Sequence, residues 1–313
     1  MLFSQLEYLV ALAKEGHFSR AAEACHVSQP ALSAGIRRLE AEFDTQIVRR
    51  ANRFEGLTAE GEKLVAWARR ILADRQALTE ELQTMRGELS GTLRIGAIPT
   101  ALPALSMLTQ PFQQEHPQVR LTLLSLSSTD IRRSLGEFDI DAAVSYLDAP
   151  CGSGIRALPL YRERYVLLAP WESTPRTQEA VTWAEAATMR LCLLTGDMLN
   201  RQFLDRTFES VNTRPRVELE TNSISALYAH VLDGSFATIM PHTWLRTFRV
   251  SEDMRVMPLV EPHVTQSVGL LVPNHEPESL LCRALVKVAD QLTMAGRLDS
   301  LLRERLRGLP RTG

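Results

Sequence analysis

Over the first 90 residues apolar positions recur at helical spacing, with few strand signals. Phe3, Leu6, Val10 and Ala13 share one face, and Gly16 closes that segment. A second short helix carries Phe18, Ala21, Ala22 and Cys25 on one side, and its small alanines let another helix come close. A third begins at Ser28-Gln29-Pro30, a capping hydroxyl followed by a proline in the first turn, where its missing N–H costs nothing. Leu32, Ile36, Leu39 and Phe43 mark its buried stripe, and Gln29, Ser33, Arg37 and Arg38 its outer face. Two short helices joined by a tight turn, the second polar and basic outside, make a helix-turn-helix that fits a major groove. Residues 46–57 then read as a two-stranded wing, with Arg49, Arg50 and Arg53 at a basic tip suited to phosphates or a minor groove.

From Thr58, a good N-cap, no proline interrupts the chain as far as Leu89. Leu64, Ala68, Ile71, Arg75, Leu78, Leu82, Met85 and Leu89 lie alternately four and three apart, a coiled-coil seam with one arginine in it. At 1.5 Å per residue such a helix would be roughly 45 Å long. A long seam between two compositionally different regions predicts dimerisation. The alternative is an amphipathic helix packed on its own domain.

Beyond Gly91 strand and helix patterns alternate: a strand at 93–96, a helix at 102–115 broken by His116-Pro117, a strand at 119–126, a helix at 130–138 and a strand at 141–144. This order predicts an α/β domain with a parallel sheet covered by helices on both faces. A second set places strands at 165–169, 191–194, 216–219 and 236–240 and helices near 198–210 and 223–232. A strand at 268–272 and a helix at 277–295 finish the domain.

The length of 313 residues suggests two or three domains, and the 45% apolar content excludes disorder. Apolar runs such as 165–169 are far shorter than the roughly 18 residues that span a bilayer. The N-terminus carries no export-signal pattern, and the four cysteines, Cys25, Cys151, Cys192 and Cys282, form no CxxC pair. Both features predict a reduced, cytoplasmic protein. The formal charge is −2, but residues 29–54 hold five arginines against three acids, so the basic signal is modest and confined to one face.

The blocks Phe18-Ser19-Arg20-Ala21-Ala22, Val27-Ser28-Gln29-Pro30-Ala31-Leu32-Ser33, Ile36-Arg37-Arg38-Leu39-Glu40 and Leu57-Thr58-Ala59-Glu60-Gly61, in this order and spacing, resemble the LysR-type transcriptional regulators. The order of parts matches over essentially the whole chain. The resemblance implies a winged helix-turn-helix domain at 1–58, a linker and dimerisation helix at 59–90 and an effector-binding domain at 91–313. The last would be a two-subdomain fold similar to type 2 periplasmic binding proteins. Its first subdomain would hold 91–162 and 268–295, and its second 163–267. It further implies tetramers built as dimers of dimers, promoter DNA and RNA polymerase as partners, a small inducer in the effector cleft, and activation as the usual outcome. At the DNA it places Ser28, Gln29, Pro30, Ser33, Arg37 and Arg38, with Arg49, Arg50 and Arg53 in the wing. One departure matters: many relatives carry a long polar or basic residue just after Ser33, where this chain has Ala34-Gly35. A glycine inside a helix costs up to about 1 kcal/mol relative to alanine. The lost donor suggests that the operator is read partly by shape.

Ligands in open α/β sheets bind beyond the carboxyl ends of strands, at helix N-termini. Pro99-Thr100-Ala101, Ser127-Ser128-Thr129 and Asn222-Ser223-Ile224 fit that description, with Thr195 and Pro241 as weaker candidates. Positions matching Thr100 and Ser128 commonly line the inducer pocket of relatives. The bland reading is that each hydroxyl only caps its own helix. No cationic residue is evident in that cleft, which suits a small anion held by hydroxyls and helix N-termini. Residues 220–226 resemble the branch of the family that senses very small anions such as cyanate or formate.

An enzyme would need a site, and none is visible: there is no GxSxG, P-loop or HExxH, and the seven histidines lack metal-ligand spacing. No metal or cofactor is therefore expected. Cys192, inside an apolar strand, reads as core. Cys151, in the loop Pro150-Cys151-Gly152-Ser153-Gly154, reads as an exposed, oxidisable thiol, and some relatives sense peroxide through a cysteine pair. The favoured class is a ligand-responsive DNA-binding regulator. The runner-up is a metabolite-binding protein whose N-terminal helices serve only for assembly.

Overall fold

The computed structural model describes the chain apart from residues 51–53, 86, 88, 149–153, 174–177, 275 and 308–313, and apart from the side chains of residues 50, 83 and 307. Two compact bodies make up the molecule, one built mainly on residues 1–90 and the other mainly on residues from 91 onward.

In the first body, α1 (Phe3–Glu15), α2 (Phe18–Ala24) and α3 (Gln29–Glu42) precede strands β1 (Val48–Arg50) and β2 (Phe54–Leu57), which pair antiparallel, and then α4 (Ala59–Thr84). Ser28 caps α3, its hydroxyl accepting from the Ala31 N–H at 3.4 Å. Leu6, Leu9 and Leu12 of α1, Ala21 and Ala22 of α2, Leu32, Ile36 and Leu39 of α3, and Val65 and Ala68 of α4 form one core. Gly35 is buried there because the Tyr8 ring lies against it, so a Cβ would come within 2.6 Å of that ring. The expected departure at Ala34-Gly35 thus has a packing reason: α1 occupies the space that a side chain would fill.

The long helix differs from the expectation in two ways. It ends at Thr84, five residues before Leu89, so its length is about 39 Å. Its first half also packs within its own body, since Leu64, Ile71 and Leu72 join the core. Arg75, the odd residue in the seam, donates to Glu7 Oε1 at 2.7 Å and lies over the Phe3 ring. Leu78, Leu82 and Met85 remain exposed.

The second body opens with β3 (Gly91–Ala97), α5 (Leu102–Glu115), β4 (Val119–Ser125), α6 (Ser128–Gly136) and β5 (Ala142–Tyr146). β3 runs parallel to both β4 and β5. There follow β6 (Ile155–Pro170), β7 (Val181–Thr182), α7 (Trp183–Thr188), β8 (Leu191–Leu194), α8 (Leu199–Ser210), β9 (Val217–Thr221), α9 (Ile224–Leu232), β10 (Thr238–Pro241), β11 (Met254–Val260), β12 (Thr265–Pro273), α10 (Leu280–Gln291) and α11 (Met294–Arg307). The main sheet runs in the order β4-β3-β5-β12-β6-β11-β7, and β10 also pairs with β6. β12 is antiparallel to both β5 and β6, so the expected all-parallel sheet is mixed. Residues 155–164 of β6 pair with β12, and residues 165–170 pair with β10 and β11. One continuous strand therefore joins the two lobes, where only 165–169 reads as strand from hydrophobicity. The expected helix at 277–295 is the shorter α10, and α11, which the sequence reading did not expect, follows it with Leu298 and Leu302 buried. Among the described residues no helix is long and apolar enough to cross a membrane.

Candidate DNA-contacting face and effector cavity

The outer face of α3 is open to solvent. Gln29, Pro30, Arg37 and Arg38 are exposed and Ser33 is half-buried. Arg37 donates to Ser33 Oγ at 3.2 Å, and Ser19 of α2 donates to Gln29 Oε1 at 2.8 Å, so two of these polar groups are pre-positioned. On the wing Arg49 is exposed, its Nε held by the Leu57 carbonyl at 2.8 Å. Arg50 ends β1, but its side chain lies outside the described residues, as does the whole of Arg53. Phe18 and Phe54 meet edge to face at 6.1 Å, tying α2 to the wing. Ser28, also exposed, uses its hydroxyl as the α3 cap.

In the second body a cavity of about 270 Å³ opens beyond the carboxyl ends of β3, β4, β5 and β8. After β3 it is lined by Ile98, Pro99 and Thr100, and at the start of α6 by Ser127, Ser128 and Thr129. Tyr146 contributes from the end of β5 and Leu194 from the end of β8. Asp197, Met198, Leu199, Asn200 and Gln202 come from the entry to α8. Helix starts gather there because each parallel strand hands the chain to a helix running back across the sheet.

Five of the candidate ligand residues, Pro99, Thr100, Ser127, Ser128 and Thr129, therefore share one cavity. Ala101 is buried beside them at the N-cap of α5. The others do not line it. Ser223 is an exposed cap, accepting from the Ala226 N–H at 3.3 Å, and Asn222 is exposed next to it. Ile224 packs on the core of the second lobe, Pro241 is locked in β10 opposite Tyr165, and Thr195 lies one residue past Leu194 with its Oγ1 buried and unpartnered.

The expectation that no cation faces the cleft is overturned by Arg132, one turn into α6, which lines the cavity and donates to Thr129 Oγ1 at 3.3 Å. Asp197 places an opposite charge in the same lining. Ser127 Oγ accepts from the Asp130 N–H at 3.1 Å and so caps α6, while the first-turn N–H groups at 128 and 129 lack helical acceptors by position. Asn200 is buried with its amide nitrogen unpartnered, which leaves two donors to satisfy.

Beneath the lining lies a polar cluster that hydrophobic periodicity does not show. Thr100 Oγ1 is 2.9 Å from the Tyr146 hydroxyl, which donates to Glu163 Oε2 at 3.0 Å. Tyr165 donates to Gln266 Oε1 at 2.6 Å. Glu163 is fully buried, and burial pushes its carboxyl up to about 8. Burial, reinforced by the charge of Glu163, also holds the Tyr146 and Tyr161 hydroxyls well above their ordinary value. Among the described residues no group of histidine, cysteine and carboxylate side chains could hold a metal ion.

Residues 3–62 match the family of bacterial regulatory helix-turn-helix proteins of the lysR family, and residues 86–293 match the LysR substrate binding domain. The chain is 31% identical over 310 residues to the hydrogen peroxide-inducible genes activator of Escherichia coli, covering 97% of this chain and 99% of that protein. A solved cysteine-to-aspartate variant of full-length OxyR from Pseudomonas aeruginosa superposes with a TM-score of 0.74 at 26% identity, covering 95% of this chain and 97% of that one. Full-length CbnR, solved in complex with its target DNA, shares the fold at a TM-score of 0.64 and 21% identity, covering 93% of this chain and 99% of that one.

Proposed function

This chain belongs to the LysR family of DNA-binding transcriptional regulators, which are not enzymes, and from that premise we propose that it binds promoter DNA as a dimer of dimers and activates transcription when a small anionic metabolite occupies the effector cavity. In this reading 1–58 contacts DNA, 59–90 dimerises, 91–313 senses the ligand, and the protein acts in the cytoplasm with RNA polymerase. The α3 residues Gln29, Ser33, Arg37 and Arg38 read or grip the major groove, and Arg49, Arg50 and Arg53 hold phosphates at the wing.

The observation that carries the ligand class is the convergence on one cavity of the α6 N-terminus, the Thr100 and Ser128 hydroxyls, the Arg132 guanidinium and the unpartnered Asn200 amide. Donors and a partial positive charge favour an anion, and about 270 Å³ limits it to a small one. Ligand closes the two lobes on each other, and the change in effector-domain packing alters the spacing of the DNA-binding pairs. Coupling of this kind is typically about 1–3 kcal/mol.

The relatives named for peroxide favour a different stimulus. Among the described residues the cysteines are Cys25, Cys192 and Cys282, and none of them lines the cavity. Burial pushes the Cys192 thiol up to about 11, which opposes the thiolate that reacts with oxidant. Cys151 lies outside the described residues.

Footprinting on the DNA upstream of the protein's own gene, at physiological salt with scrambled competitor, tests the proposal. The expected result is a protected stretch longer than one dimer site that changes when small carboxylates are added and is unmoved by peroxide. Protection lost equally to scrambled DNA would overturn DNA reading. A footprint that changes with peroxide alone, and not in Cys151→Ser, would replace the anion with an oxidant.

A further inference from the structure

Behind Tyr146, which lines the cavity, lies a carboxyl group that among the described residues has no cation beside it. Glu163 sits in β6 with Tyr161 and Tyr165 on the same face, while Arg162 and Arg164 alternate to the outside. Its Oε2 accepts from Tyr146 at 3.0 Å, with the Tyr165 hydroxyl at 3.5 Å, and its Oε1 has no partner. Facing it are Tyr146 from β5, Tyr161 and Tyr165 from β6, and Thr100 from the segment after β3. Behind Tyr165 stands Gln266 of β12, and Asn200 of α8 lies near the Tyr146 and Tyr165 hydroxyls, its amide nitrogen outside hydrogen-bonding geometry. Among the described residues no cation pairs with Glu163, and a lone carboxylate oxygen without donor or countercharge is costly in such a place.

The chain Glu163–Tyr146–Thr100 can run in two directions. When Glu163 is ionised, Tyr146 donates to it and Thr100 donates to Tyr146 or to Glu163 itself, so Thr100 meets the cavity with lone pairs only. When Glu163 carries a proton on Oε2, that O–H donates to Tyr146, Tyr146 donates to Thr100, and the Thr100 hydroxyl proton is free to point into the cavity. The first arrangement repels an anion and the second donates to it.

We propose that an anion entering this cavity binds together with one proton, taken from solvent onto Glu163, and that the hydroxyl chain through Tyr146 to Thr100 reverses as it does. The inference rests on the reading of the cavity as the effector site and adds its regulation: the protein reports the anion weighted by pH. The carboxyl, pushed up to about 8, changes form close to neutrality. A bound anion raises it further, so affinity is fullest below about pH 8 and falls as pH rises, approaching tenfold per unit.

Isothermal titration of the full chain with sodium formate, and in parallel with sodium acetate and sodium benzoate, from about pH 6 to about pH 9.5, tests this. All three probes are fully ionised across that range. In buffers of unequal ionisation enthalpy the observed heats should differ by an uptake approaching one proton per anion above about pH 8. The Kd should weaken roughly tenfold per unit there. Glu163→Gln, whose amide donates to Tyr146 as the acid would, should bind with a flat pH profile and no proton uptake. Tyr146→Phe, which cuts the relay while sparing the carboxyl, should take up clearly less than the wild type and covers the case in which Glu163→Gln does not fold. Wild-type binding without proton uptake, or full uptake retained in either variant, overturns the inference and leaves the cavity reading standing. If none of the three anions binds at any pH, the cavity reading itself fails and the inference falls with it.

Discussion

A methyl group at Gly61 would fall on the carbonyl oxygen of Ile47, so the first turn of α4 can lie against the end of the 43–47 loop only because position 61 has no side chain. Thr58 completes the joint: its hydroxyl accepts from the Gly61 N–H at 2.9 Å and donates to the Gln46 carbonyl at 2.6 Å. The spacing Leu57-Thr58-Ala59-Glu60-Gly61 is legible as a family motif, and its reason is this backbone contact, which no pattern of hydrophobicity encodes. Gly61→Ala should cost about 1–3 kcal/mol through overpacking, despite alanine's better helix propensity. The transition of the first body in differential scanning calorimetry would then fall by several degrees; an unchanged or raised Tm would show that the joint yields freely. Glu163 was not legible, because a carboxylate at an inward strand position breaks the apolar alternation that marks a core. Its folded carboxyl is raised to about 8 against an ordinary 4.5, so its contribution to stability is present below about pH 4.5 and is lost as pH rises towards about 8. Thermal melts should show the second body weakening across that window, with Glu163→Gln flatter; a wild-type Tm that rises from pH 5 to pH 8 while the variant's stays level contradicts this.

Among elements, α4 shows how one periodicity can serve two surfaces. Its four-three spacing runs unbroken, yet Ala68 is buried in its own body while Leu78 and Leu82 are 55% and 52% exposed. The sequence could not divide the seam, because the partner for its first half is α1, and Arg75 is explained only by Glu7 and Phe3 standing opposite. The exposed half is then the part available for dimerisation. Leu78→Glu combined with Leu82→Glu should leave the helical circular dichroism of the folded chain unchanged while light scattering shows dissociation of the proposed dimer; retained dimers would move the interface elsewhere. β6 makes the complementary case. Its stretch 161–165 alternates strictly, but with Glu163 and two tyrosines inside and two arginines outside it reads as polar. The helices and strands around it, α5 and β8 above all, were legible because their apolar faces are uninterrupted.

For the whole molecule, a net charge of −2 gives no general attraction to DNA, so in the proposed reading affinity for an operator is gained at the α3 and wing face and modulated from the second body. If the anion shifts the operator equilibrium, thermodynamic reciprocity fixes the converse: the operator must change the anion's affinity by the same factor, typically about 5–150-fold. Because the proposed binding event includes a proton, the same operator must also shift the pH at which Glu163 takes it up. Titrating formate into the protein with and without a saturating operator duplex, at pH 7 and again at pH 9, measures both. Matching factors at each pH, with the formate effect on operator binding weaker at pH 9, are expected. An operator that leaves formate binding untouched at both would mean that the cavity is occupied without being read by the DNA-binding body, whatever its affinity, since a ligand indifferent to two states shifts neither.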